Sequence, residues 1–130
     1  VVVGGVVVGE ITRPGLLALV GVTHDDGPEQ VERTARKIAE LRILREEQSV
    51  VDTGAPVLVV SQFTLYGDVT RGRRPSFDGA MMPAEANAMY LSFLSAARAV
   101  LPVQCGRFGA DMMVSSENDG PVTMVLDSKS

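Results

Sequence analysis

Three stretches of the chain carry side chains suited to chemistry. The first is Ser61-Gln62-Phe63-Thr64-Leu65-Tyr66-Gly67, where hydroxyls and an amide interrupt an apolar run. Hydroxyls can attack or hydrogen-bond a polar substrate, and ligands of sheets that mix helices and strands sit at the carboxyl ends of strands. Alternation of Ser61, Phe63 and Leu65 with Gln62 and Thr64 equally describes the two faces of a half-exposed strand, so the pattern alone leaves both readings open. The second stretch places Arg71, Arg73 and Arg74 within four positions, beside Gly72 and Pro75. Guanidinium forks match phosphate oxygens, and such a patch would give local, salt-sensitive attraction to an RNA backbone. A solvated loop paired with Asp68 and Asp78 is the plainer alternative. The third stretch is Asn118-Asp119-Gly120-Pro121-Val122-Thr123. Asn-Asp-Gly is ordinary turn chemistry, but Pro121 removes a ladder donor and permits a cis peptide. A cis Gly-Pro unit would present two carbonyl oxygens on one side with no glycine side chain in the way.

Composition removes several other chemistries. The chain has one histidine, His24, and one cysteine, Cys105, too few for the usual zinc ligand sets or for an intramolecular disulfide. A Ser/His/Asp hydrolase would depend on His24 alone, which is read instead as a hydrogen-bonded turn residue. Cys105 reads as a small core residue, and Met81, Met82, Met89, Met112 and Met113 as core or subunit contacts. With 12 Lys and Arg against 16 Asp and Glu, the net charge of −4 gives no overall basic footprint for nucleic acid, so any RNA contact must be local.

The elements that must position these residues follow from periodicity. At 130 residues with 45% hydrophobic content, the chain suits one globular domain spanning 1–130. No apolar run reaches the roughly 20 residues that cross a bilayer, and no signal sequence is evident, so a soluble cytoplasmic protein is expected. β-Branched runs around Gly4-Gly5 predict a hairpin over 1–11, and the unalternating apolar run 16–22 predicts a central strand covered on both faces. Pro28 opens a helix to about Glu40, with Val31, Ala35, Ile38 and Leu41 at helical spacing. Strands are expected over 41–44 and 57–65, a loop over 45–55, and a helix from Pro83 that ends before Pro102. Strands over 103–108, 112–115 and 122–126 complete the pattern. Roughly seven strands and two helices predict an α/β fold with a curved or doubled, mainly antiparallel or mixed sheet and both helices packed outside it, in β/β/α layers.

Taken in order, S-Q-F-T-L-Y-G-D, R-G-R-R-P-S-F, G-R-F-G-A-D-M and N-D-G-P-V-T resemble D-aminoacyl-tRNA deacylases. The likeness also takes in L-V-G-V-T-H-D-D and so spans nearly the whole chain; S-Q-x-x-L at 61–65 and N-x-G-P-V-T at 118–123 are the family's signatures. The chain departs from the pattern twice. It begins at Val1 without the usual methionine and Gln-Arg strand, from which a missing first strand is expected, and its 45–53 loop lacks a Gly-Lys-Met-Asn-type stretch.

The resemblance implies hydrolysis of the ester between a D-amino acid and the 3′-terminal ribose of tRNA, as chiral proofreading, with no metal or organic cofactor. It implies that Ser61, Gln62, Phe63 and Thr64 are catalytic and that Asn118, Gly120, Pro121, Val122 and Thr123 bind substrate, with Arg71, Arg73 and Arg74 on tRNA. It further implies a homodimer in which a Gly120-cis-Pro121 element reaches into the partner's pocket. Carbonyls would grip the substrate amino group, an L side chain would collide with the wall, and achiral glycine on tRNA would be accepted. Thr64 is one candidate nucleophile; water assisted by the ribose 2′-hydroxyl, with backbone N–H groups near Phe63 and Thr64 holding the oxyanion, is preferred because no base is evident. A non-catalytic tRNA-binding accessory of the same fold is the alternative class, and an unrelated Ser/Thr esterase the third.

Overall fold

The computed structural model describes residues 1–120 and 122–129. Gly4 and Gly5, at φ of 55° and 80°, turn the chain between β1 (Val2–Val3) and β2 (Val6–Val7), which pair antiparallel as the β-branched pattern predicts. Those dihedrals suit residues without a Cβ. The second sheet comprises β3 (Leu16–Val20), β4 (Val57–Ser61) and β5 (Val103–Cys105) in that order, with both pairings parallel. Parallel neighbours need long crossovers. The chain supplies them as α1 (Pro28–Glu40) with the short α2 (Val50–Thr53), and then as α3 (Pro83–Arg98).

Side-chain alternation on β4 divides the interior in two. Val57 and Val59 meet Ala35 and Ala39 of α1 and Tyr90, Phe93 and Leu94 of α3, so both long helices lie on one face of the sheet. Leu58 and Val60 point the other way, against Val1, Val8, Ile11 and Met112. β4 is thereby buried almost throughout. Tyr90 crosses from α3 to donate its hydroxyl to the Val59 carbonyl at 3.2 Å, while the Gly106 N–H donates to the same oxygen at 3.0 Å. α1 begins where expected, with Pro28 in its first turn and the Gly27 N–H donating to Gln30 Oε1 at 2.8 Å.

Several strand expectations are corrected. The run 16–22 is an edge strand ending at Val20, and Leu17 and Leu19 on its second face are 40% and 45% exposed, because β4 takes the centre between two crossovers. The predicted strand 41–44 contributes only a bridge from Leu44 to Gln48, and 45–55 holds a 3₁₀ turn (Arg45–Glu47) and α2 rather than plain loop. Met113 bridges Val2, but the remainder of 112–115 and all of 122–126 form no strand, because no neighbouring strand offers them a ladder. The strand 103–108 stops at Cys105. The main sheet is parallel, not antiparallel, as alternating strands and helices require; with the hairpin, the whole is mixed.

Candidate active site

β4 delivers the first chemistry-bearing stretch to the carboxyl end of the central strand. Ser61 still pairs with Val20, and the Gln62 N–H donates to the Val20 carbonyl at 2.8 Å. There the strand stops, four residues short of the predicted end. Gln62, at φ −140° and ψ 80°, swings the chain into a 3₁₀ turn over Phe63–Tyr66. Leu65 N–H returns to Gln62 O at 3.2 Å and Gly67 N–H to Thr64 O at 2.9 Å, which closes the turn. The first N–H groups of any helical turn lack partners within it, and those of Phe63 and Thr64 find no acceptor among the described residues. The Thr64 hydroxyl is met by the Gln62 side-chain amide. A carboxamide is no base, so nothing bonded to Thr64 among the described residues could accept its proton.

Aromatic and glycine contacts hold this turn. The Phe63 ring meets Phe77 edge to face with centroids 5.1 Å apart, and Tyr66 lies against Gly21, just past β3. Partial burial pushes the Tyr66 phenol above its usual value, with the carboxylates of Asp26 and Asp127 adding to the shift. Opposite the turn, Thr23 donates to the Gly79 carbonyl at 2.5 Å and Met81 N–H to Val22 O at 3.0 Å. His24 is the hydrogen-bonded turn residue expected. Its Nε2 lies 2.7 Å from the Asp78 carbonyl oxygen, a contact that needs the proton on Nε2. Cys105 is only half-buried and receives a 3.5 Å hydrogen bond from Arg98.

The arginine stretch is the tip of a loop whose base is a two-way backbone pairing of Asp68 with Ser76, at 2.7 and 2.8 Å. The Asp68 carboxyl is held below its usual range by the Thr70 N–H, which it accepts at 2.9 Å. Arg71, Arg73 and Arg74 are exposed, and none makes an ion pair or hydrogen bond among the described residues, so the pairing with Asp68 and Asp78 does not form.

Asn118, Gly120, Val122 and Thr123 are exposed; Pro121, and with it the expected cis peptide, lies outside the described residues. No hydrogen bond joins this segment to 61–64 among the described residues. Asp119 is instead gripped by Arg45, Nε to Oδ2 at 2.9 Å and Nη2 to Oδ1 at 2.7 Å, and the carboxylate raises the guanidinium pKa. Sequence reading missed this pair, since nothing in the residue pattern links positions 74 apart. Among the described residues no cluster of three His, Cys, Asp or Glu could hold a metal ion, and no helix is long and apolar enough to cross a membrane.

The α/β scaffold is shared with solved structures. One, titled c-Myc DNA Unwinding Element Binding Protein, superposes with a TM-score of 0.77 at 38% identity over 83% of this chain and 78% of its own. A second, titled as a probable eukaryotic D-amino acid tRNA deacylase, shares the fold at 18% identity, with a TM-score of 0.67 over 81% of this chain and 80% of its own. Residues 1–127 match the family described as D-Tyr-tRNA(Tyr) deacylase. The D-aminoacyl-tRNA deacylase of Kineococcus radiotolerans is 56% identical over 129 residues, which cover 98% of this chain and 92% of the relative. The chain belongs to the D-aminoacyl-tRNA deacylase family.

Proposed function

We propose that the protein hydrolyses the ester linking a D-amino acid to the 3′-terminal ribose of tRNA, releasing the free D-amino acid and a reusable tRNA. The observation that carries the chemistry is the pair of N–H groups on Phe63 and Thr64, at the carboxyl end of β4, which find no acceptor among the described residues. Two such donors suit the oxyanion that forms when water adds to an ester carbonyl. Ser61 and Gln62 place the turn, water is the nucleophile, and the ribose 2′-hydroxyl assists; the C–O bond to the 3′ oxygen breaks and that oxygen leaves protonated. The Thr64 side chain, held by an amide and with no base bonded to it among the described residues, supports geometry rather than attack.

The active unit in this reading is a homodimer acting in the cytoplasm, where charged tRNA is used. Asn118, Gly120, Pro121, Val122 and Thr123 of one copy complete the pocket of the other, and Gly120-Pro121 reads chirality with backbone carbonyls. Two observations support it: among the described residues the segment makes no hydrogen bond to 61–64, and Leu17 and Leu19 leave apolar surface bare on the sheet face opposite the helices. Glycine on tRNA, lacking a side chain to collide, is also cleaved. Arg71, Arg73 and Arg74 hold the tRNA backbone.

Matched D- and L-aminoacyl-tRNA test the activity, and two further substitutions test the chemistry. Thr64→Ala is expected to retain substantial turnover, whereas D-aminoacyl-tRNA ending in 2′-deoxyadenosine resists the native enzyme. Full activity on the deoxy substrate, or complete loss in Thr64→Ala, refutes the backbone mechanism. Binding of tRNA without release of either amino acid would leave only the accessory module.

A further inference from the structure

We infer that Arg45 is a positioning residue that fixes the Gly120 element through Asp119, so that charge at position 45 sets how strictly D esters are separated from L esters. The inference rests on the activity proposed above. Between the Met113 bridge to Val2 and the Ser128 carbonyl, which accepts Arg33 at 2.8 Å, Asp119 supplies the one hydrogen-bonded tie from 114–126 to the rest of the chain among the described residues. A long exposed segment that must present backbone carbonyls in a defined direction therefore has, among the described residues, its hydrogen-bonded anchor at a single side chain, next to Gly120.

The geometry of that pin restricts rotation as well as distance. Two parallel N–H···O contacts, 2.9 and 2.7 Å, use both carboxylate oxygens, as in a fork-to-fork guanidinium pair. Arg45 is itself well placed to serve as the fixed side. It opens a 3₁₀ turn closed by the Leu44 N–H to Gln48 O bond at 3.0 Å, and the chain then enters the core at the buried Ser49 and Val50. A lysine could supply the charge without the fork. Since both side chains stand in solvent, the pair acts on direction more than on folding.

Arg45→Glu sets two carboxylates against each other, and the charge-swapped Arg45→Asp/Asp119→Arg restores attraction. The readout is the ratio of initial rates on D- and L-aminoacyl-tRNA carrying the same amino acid on the same tRNA. Arg45→Glu is expected to lower that ratio about two- to five-fold, the scale of an exposed pair of good geometry, and the swap to recover most of it. An unchanged ratio in Arg45→Glu, or a swap no better than the single variant, overturns the inference. If the native protein cleaves neither ester, the proposed activity has failed. Backbone ¹⁵N relaxation at Gly120 then decides the positioning role: added motion in Arg45→Glu, reversed in the swap, upholds it, and unaltered motion overturns it.

Discussion

Replacing Gly21 with alanine would drive a methyl group into the turn that carries Gln62 to Tyr66. A Cβ at Gly21 would lie 3.1 Å from Tyr66 Cδ2, 3.2 Å from the Gln62 carbonyl oxygen and 3.2 Å from Leu65 Cβ. Two of these atoms are backbone or the first carbon of a side chain, so rotation cannot relieve them and the turn must move by a few tenths of an ångström. Overpacking of this kind costs about 1–3 kcal/mol, and restricting the unfolded chain offsets about 0.4–1 kcal/mol, because Gly21 does not occupy positive φ. The net destabilisation is therefore modest, about 0–2.5 kcal/mol. Turnover should suffer more than folding. A misplacement of about 1 Å can cost about 100-fold, and a few tenths at the Phe63 and Thr64 donors should cost roughly three- to ten-fold. Gly79 provides the control, since a Cβ there would sit 3.6 Å from Tyr66 O, in ordinary contact. Urea unfolding and kcat on D-aminoacyl-tRNA, measured for Gly21→Ala and Gly79→Ala, separate the two effects. Native turnover in Gly21→Ala, or an equal loss in Gly79→Ala, would refute the claim that this turn holds the reacting carbonyl.

Two other outcomes follow from the same structure. Replacing Arg71, Arg73 and Arg74 by alanine should weaken tRNA binding and flatten log K against log salt by about two to three, since each phosphate contact to duplex or single strand contributes about 0.7–0.9; a filter-binding salt series with an unchanged slope would return the loop to solvent. Tyr90→Phe should cost only about 0.5 kcal/mol at neutral pH, the low end for a hydrogen bond, because the Val59 carbonyl keeps its Gly106 N–H. Burial pushes the Tyr90 phenol from 10.0 to about 12, so its neutral form favours the fold below pH 10 and that advantage is lost as pH climbs toward 12. The native protein should accordingly lose stability relative to Tyr90→Phe between pH 10 and 12, as urea midpoints at pH 8 and 11 would show, and parallel behaviour of the two would contradict a buried phenol.

Local signals were legible wherever one segment answers its own physical demand. Pro28 at a helix start, paired glycines at positive φ and the apolar stripe of α3 each fix an element without help from distant chain. The polar turn at Ser61 and the arginine loop could be picked out because hydroxyls and guanidinium groups interrupt otherwise apolar or turn-forming stretches. What the pattern could not give was pairing. Strand direction depends on the crossovers, and Arg45 meets Asp119 only once the 3₁₀ turn at Arg45–Glu47 and the C-terminal segment have been brought together by the fold.

The failed strand assignments share a cause that bears on function. Phe63 and Leu65 continue the alternation of β4, yet each is more than half exposed on the rim of the 3₁₀ turn, and Val125 in 122–126 is 94% exposed. In β3, Leu17 and Leu19 leave apolar surface bare on the face away from the helices. Apolar periodicity states that a surface is to be covered and is silent on what covers it. Within one chain Phe63, Leu65 and Val125 violate the pattern that predicted them as strand. A second copy on that face, as proposed for the active unit, would cover Leu17 and Leu19. In that proposed dimer the Gly120 element of one copy meets the Phe63–Thr64 turn of the other, so apolar cover and completion of the site would come from the same association.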